Sequence, residues 1–529
     1  MNTQYKWLIL LLIFGCISCD SDDDASTTMQ EVVITSGDAD FSTYVSLGNS
    51  LTAGFTDGAL FIAGQENSMS NILANQFALA GGGDFTQPLM SDNIGGALIG
   101  GMPALNPRFY FYSDPNPEPP NESGPRLLGT TPGDNTPEIP TTEITNVLSG
   151  PFNNMGIPGA KSFHLLADGY GNAAGLPSLA NPYFVRIASS ATASVLGDAM
   201  AQNPTFFSLW IGNNDVLGYA LSGGDGTDPI TDQTMFTNAY NGLVTTLTSG
   251  GAKGVAFNIP NVTSIPHFTT VPFKPLDPTN PGFGPLIPTL NAQFAGLNEV
   301  FTGLGVPERA IEFALDAASA VVIKDESLPD LSSQITAALI ANMVDPGTAT
   351  LTGILYGQAR PANENDLLVL PSSSIIGQVN TDAVAMLMMT YGLSQMQAGQ
   401  LAVNGVTFPL EDKWVLIPAE QQEIAAATTA FNTVISSAVQ QAGLAFVDAN
   451  MILDQISESE NGIAFDEFLL NDNLVFGGAF SLDGVHPTAR GYAFLANKAI
   501  EEINTTYNSN LPLVKAVDYP TFYSLAMLQ

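Results

Sequence analysis

Ser50, Asp483 and His486 supply a hydroxyl, a carboxylate and an imidazole, the three groups of a base-activated nucleophile. Ser50 lies in "YVSLGNSLTAGF" (residues 44–55), where an apolar run ends on glycine, asparagine and serine. A free hydroxyl is a weak nucleophile at neutral pH and needs a base. The chain has three histidines, His164, His267 and His486. His486 stands in "SLDGVHPTARG", three residues after Asp483. A carboxylate so close can hold the second ring nitrogen and stabilise the imidazolium formed when the other nitrogen takes a proton. His164, in "KSFHLLADG", is expected to pack or to cap a helix, and His267, in "IPHFTT", to be an ordinary loop histidine. Attack on an acyl carbon also needs donors for the developing oxyanion. "NNMGIPGAKS" (153–162) offers the N–H of Gly159, "IGNNDVLG" (211–218) the side-chain amide of Asn214, and Ser50 its own N–H. The plain alternative has Ser50 and Asn214 capping local structure and His486 packing.

These groups need a rigid frame. Residues 41–47, 205–212, 252–260 and 444–449 are short continuous apolar runs that predict buried strands. Helical spacing or end signals mark 67–80, 231–250 with a capping threonine, 418–443 opened by Pro418, and 488–507. Continuous apolar strands alternating with helices predict an α/β fold with a parallel sheet covered on both faces. In such sheets ligands sit at the carboxyl ends of the strands, where Ser50 falls. Two long stretches interrupt the alternation. Residues from about 83 to 150 are rich in Gly, Pro, Asn and Thr and read as long loop, and 262 to about 416 form a second insertion.

"GNSL", "NMGIPGA", "GNND" and "DGVH", in this order, resemble the blocks of the SGNH or GDSL hydrolase family. The resemblance implies a three-layer α/β/α sandwich with a mainly parallel, flavodoxin-like sheet, here carrying the two insertions. It implies ester hydrolysis through an acyl-enzyme, with Ser50 as nucleophile and Asp483 and His486 as its partners. Ser50, Gly159 and Asn214 would form the oxyanion hole. Asn49 stands where the name-giving motif has aspartate; that residue supports the turn and is not the nucleophile. The substrate is expected to be an ester of a lipid acyl group or of an O-acylated carbohydrate. The rival is a non-catalytic, surface glycan-binding protein on the same fold.

Of 529 residues, 45% are apolar, enough for a sizeable core. Lys and Arg number 14 against 50 Asp and Glu, a net charge of −36 that repels nucleic acid and anionic lipid. Lys6 and the apolar "WLILLLIFG" (7–15) have signal-peptide proportions and are too short for a confident span. Cys16 and Cys19, the chain's two cysteines, follow at once, so the body carries no disulfide framework. Ser18-Cys19 before "DSDDD" resembles a lipoprotein signal with the acidic export run of Bacteroidetes surface lipoproteins. The expected order is therefore a signal peptide over 1–18, lipidation at Cys19, an acidic tether over 19–40, the hydrolase domain over 41–507 and a C-terminal extension over 508–529. The expected location is the outer membrane or cell surface, with membrane association through the lipid anchor only. No metal cluster, phosphate loop or dinucleotide fingerprint is evident, so no cofactor is expected. "TDAVAMLMMTYGLSQMQAGQLAV" (381–403) carries four methionines and reads as a helical hairpin on the insertion's own core, a lid or acyl groove being the alternative. The aromatics of "RFYFYSD" (108–114) could stack on sugars or anchor a loop.

Overall fold

A computed structural model describes residues 33–116, 122–459 and 461–525. The signal peptide, Cys19 and the tether up to residue 32 lie outside the described residues. Ile34–Gln529 forms one compact unit. The tether was expected to run to residue 40, but residues 34–40 belong to this unit: Ala39 is buried and the Asp38 N–H donates to Tyr507 O at 2.7 Å.

Five strands make an all-parallel sheet: β1 (Tyr44–Gly48), β2 (Asn154–Gly156), β3 (Phe206–Trp210), β4 (Lys253–Phe257) and β5 (Ala445–Val447). Their order is β5-β4-β3-β1-β2, the 2-1-3-4-5 order of doubly wound sheets. Every residue of β1 and β3 is buried, which is why these strands read as mainly apolar runs, each interrupted by a single small serine, Ser46 and Ser208. Tyr44 and Phe206 look to one face, where Phe77 of α2 (Met69–Leu79) and Tyr507 of α7 (Ala489–Tyr507) meet them edge-on. The Tyr507 hydroxyl donates to Gly254 O at 2.7 Å and fixes α7 to β4. Elsewhere α4 (Gln233–Thr248) packs on α5 (Pro418–Ala442), with Phe236 and Phe431 stacked at 4.0 Å. The arrangement is compatible with a three-layer α/β/α sandwich. α4 is capped by Asp232, which takes the N–H groups of Thr234 and Met235, and not by the expected Thr231.

The segment expected as loop between 83 and 150 contains two β-hairpins, Ala97–Ile99 with Met102–Leu105 and Phe109–Tyr112 with Gly124–Leu127. Phe111 meets Phe476 and Phe522, so the aromatic run anchors a loop. Between β4 and α5 the chain builds its own hydrophobic core around Phe294, Phe301, Val322, Ile335 and Leu410. Within it, Thr381–Tyr391 and Gln395–Leu401 form the expected helical hairpin over a small core of Leu351, Leu387 and Ala398. Met389 and Met396 are exposed. No helix among the described residues is long and apolar enough to cross a membrane.

Candidate active site

A parallel sheet brings all its carboxyl ends to one edge. β1 leads to Ser50, β2 to Gly159 and β3 to Asn214 at the start of α3 (Asn214–Leu221), so three residues distant in sequence share that edge. The turn after β1 admits no side chain at Gly48: a β-carbon there would stand 2.1 Å from Thr52 Oγ1 and 2.2 Å from Trp210 O. Asn49 caps α1 (Ser50–Ala53), its Oδ1 accepting from the Leu51 N–H at 3.0 Å. Its Nδ2 donates to Asn213 Oδ1 at 3.1 Å. An aspartate could do the first and not the second, so asparagine in this place ties the β1 turn to the β3 turn.

The loop after β5 and α6 (Ala449–Glu458) returns to the same edge. Ser50 Oγ lies 2.9 Å from His486 Nε2, and His486 Nδ1 lies 2.9 Å from Asp483 Oδ2. Asp483 Oδ1 accepts the N–H groups of Val485 and His486, each at 2.8 Å. Burial alone would raise the Asp483 carboxyl; the imidazole and these N–H donors outweigh it and hold the group at about 2. It is therefore a carboxylate at neutral pH, ready to hold the Nδ1–H tautomer that leaves Nε2 free to take a proton. Phe55 packs on the His486 ring with centroids 4.6 Å apart.

Gly159 has φ +80°, and a side chain there would point into open space, with only Asn181 Nδ2 near, at 3.9 Å. The Asn181 amide donates to Pro158 O at 2.8 Å and braces this turn. Asn214 Nδ2 donates to Ala160 O at 2.9 Å, which sets its amide beside the Gly159 turn and leaves the second amide hydrogen for another acceptor. Asp215, wholly buried, takes both the Ser162 N–H and hydroxyl and locks the same two loops together; burial raises its carboxyl. Ser50 N–H, at the first position of its helix, has no intrahelical acceptor. All five residues singled out for chemistry are thus joined to one edge of one sheet.

Sequence reasoning missed the residues that hold this loop. Thr56 Oγ1 donates to Pro487 O at 2.9 Å, the Asp57 N–H to Ser481 Oγ at 2.9 Å, and the Gly58 N–H to Asp483 Oδ2 at 2.7 Å. Asp57 Oδ1 in turn accepts the Leu482 N–H at 3.1 Å. The turn Thr56–Ala59 therefore grips both ends of the segment that carries Asp483 and His486. Its signal was the Asp-Gly dipeptide, a turn former that permits the positive φ of Asp57 (+51°) and Gly58 (+75°). Burial pushes Asp57 up to about 7; Asp483 adds to the rise and Arg108 opposes it.

The other histidines are not joined to Ser50. His164 Nδ1 accepts the Lys161 N–H and its ring stacks on Tyr170 at 4.6 Å, a capping role as expected. His267 is more than a loop histidine: it is buried, its N–H donates to Gly484 O at 2.9 Å, and it packs behind the Asp483–His486 loop.

Fold and site together define a parallel α/β protein with a serine, histidine and aspartate hydrogen-bonded in series at the carboxyl edge of its sheet. No family model, curated protein or solved structure matches the chain.

Proposed function

We propose that this protein is a serine hydrolase of carboxylic esters, working in the manner of the SGNH/GDSL hydrolases whose motif blocks it resembles. The observation that carries the reading is the pair of 2.9 Å contacts from Ser50 Oγ through the His486 ring to Asp483. Ser50 Oγ attacks the acyl carbon while His486 Nε2 takes its proton. The negative charge that develops on the carbonyl oxygen is met by the N–H groups of Ser50 and Gly159 and by the Asn214 amide. The tetrahedral intermediate collapses, the C–O bond to the alcohol breaks, and His486 returns the proton to the departing oxygen. Water then gives a proton to His486 and attacks the acyl-enzyme, and collapse frees the acid and restores the Ser50 hydroxyl. Asp483 remains ionised and orients the imidazole.

The ordered blocks, the 2-1-3-4-5 strand order and the shared edge support this assignment. The N-terminal pattern supports export and lipidation at Cys19, which would hold the enzyme at the outer membrane or cell surface. Labelling of the purified protein by a fluorophosphonate, absent in Ser50→Ala, tests the reading; no labelling of wild type would favour a binding protein.

A further inference from the structure

A packed interior seldom leaves a gap larger than a water molecule. Where α6, α7 and the loop of Asp483 and His486 meet, the chain leaves a crevice of about 80 Å³. Part of its wall is made by the immediate neighbours of the catalytic residues. Leu51 follows Ser50 on α1, and Val485 and Pro487 stand on either side of His486. Leu51 and Val485 are half-buried and mark an end of the crevice that reaches the surface. Ala449, Ile452 and Ile456 line it from one face of α6, as their helical spacing dictates, and all three are buried. Phe494 of α7 adds a further side.

The lining is hydrocarbon throughout. Among the described residues every side chain that faces the crevice is apolar, and the indole N–H of Trp210, the single polar group any of them carries, already donates to Asn258 O at 3.2 Å. A hydroxyl pushed into this space would give up its water and find no partner. The two halves of an O-acyl ester differ in just this respect. The alcohol half of a glycan or a glyceride carries further oxygens, whereas the acyl half beyond its carbonyl is methylene and methyl. The volume sets a length as well. Water takes about 30 Å³ per molecule in the liquid and a methylene is of similar size, so about 80 Å³ holds about three such groups.

We propose that this crevice is the acyl pocket of the Ser50 site and takes unbranched chains of about three carbons beyond the carbonyl carbon. The acyl carbon sits at Ser50 Oγ, and its chain runs past Leu51 and Val485 into the crevice. The site then selects esters of short fatty acids over acetyl esters and over long-chain lipids. This deepens the esterase reading and rests on it.

The test is kcat/KM of the full chain on p-nitrophenyl esters from acetate to decanoate, a series that varies the acyl group and keeps the leaving group constant. Values should rise about fourfold per added methylene as far as butanoate and level off or fall by octanoate. Ala449→Leu fills the crevice and should lower the butanoate-to-acetate ratio about tenfold; Ile456→Ala enlarges it and should raise the octanoate-to-butanoate ratio by a similar factor. The wild-type profile decides the matter even if a variant does not fold. An active enzyme that prefers acetate, or whose rates are flat across the series, would overturn the proposal and make the crevice a gap in packing. A rise continuing to decanoate, or ratios unmoved in both variants, would overturn it too. A length dependence found instead among acetates of ethyl to octyl alcohols would overturn it by assigning the crevice to the leaving group. No hydrolysis of any ester together with no fluorophosphonate labelling would sink the esterase reading itself, and the acyl pocket with it.

Discussion

The Oγ of Ser50 and the Nε2 of His486 lie 2.9 Å apart although 436 positions of chain separate them. The parallel sheet makes this meeting possible, because it gathers the ends of β1, β2 and β3 on the edge to which the last loop returns.

Asp483 has a depressed folded-state pKa, about 2 against an ordinary 3.8. Its contribution to stability is therefore present above about pH 4 and lost as the pH falls towards 2, and amounts to about 2 kcal/mol. Urea unfolding of Asp483→Asn should show a deficit against wild type at pH 6 that narrows over that window. A deficit independent of pH would contradict the charge assignment. Activity in the same variant should fall about 10²–10⁴-fold in kcat, because the imidazole loses its preferred tautomer.

Asp57 has the opposite sign. Its carboxyl is pushed up to about 7, so folding opposes its ionisation and wild type loses stability as the pH rises from about 4 to 7. Asp57→Asn should gain on wild type across that interval. The amide keeps an acceptor for the Leu482 N–H, so kcat should remain near wild type, whereas Asp57→Ala should lose about tenfold or more in kcat with KM unchanged. Steady-state kinetics of the two variants separate a positioning role from a merely structural one.

Asn214 is assigned to the developing oxyanion. Asn214→Ala should lower kcat about 10²–10³-fold and leave KM for short esters nearly unchanged. A matched rise in KM with constant kcat would place its amide on the ground-state substrate instead.

Gly48 has no room for a side chain, since its β-carbon would press on Thr52 Oγ1 and on the Trp210 carbonyl. The second contact is backbone and cannot rotate away. Gly48→Ala should cost about 1–3 kcal/mol in denaturant unfolding and displace Ser50 enough to lower kcat. A variant as stable and as active as wild type would show that the turn is more pliable than its packing implies.

Much of this frame was legible because burial on both faces leaves β1, β3 and β4 mainly apolar, with one small buried serine each in β1 and β3 (Ser46, Ser208) and Lys253 at the start of β4. The same physics hid other parts. Met102–Leu105 is largely exposed and shows no inside–outside alternation, so its hairpin resembled loop. Thr231 and Asp232 are both able to cap, and only the backbone path decides between them. Ser50, Gly159, Asn214, Asp483 and His486 could be singled out because each follows a strand end or precedes a helix. Thr56–Gly58 was legible only as an Asp-Gly turn; its grip on the last loop was not, since its partners lie 424 and more positions away.

Hydrolysis of short-chain p-nitrophenyl esters by wild type and by Ser50→Ala decides whether the Ser50 hydroxyl is the nucleophile. Wild type is expected to show measurable turnover, with a loss of about 10³-fold or more in kcat on removal of the Oγ in a variant that stays folded. Equal hydrolysis by the two proteins would remove Ser50 from the chemistry.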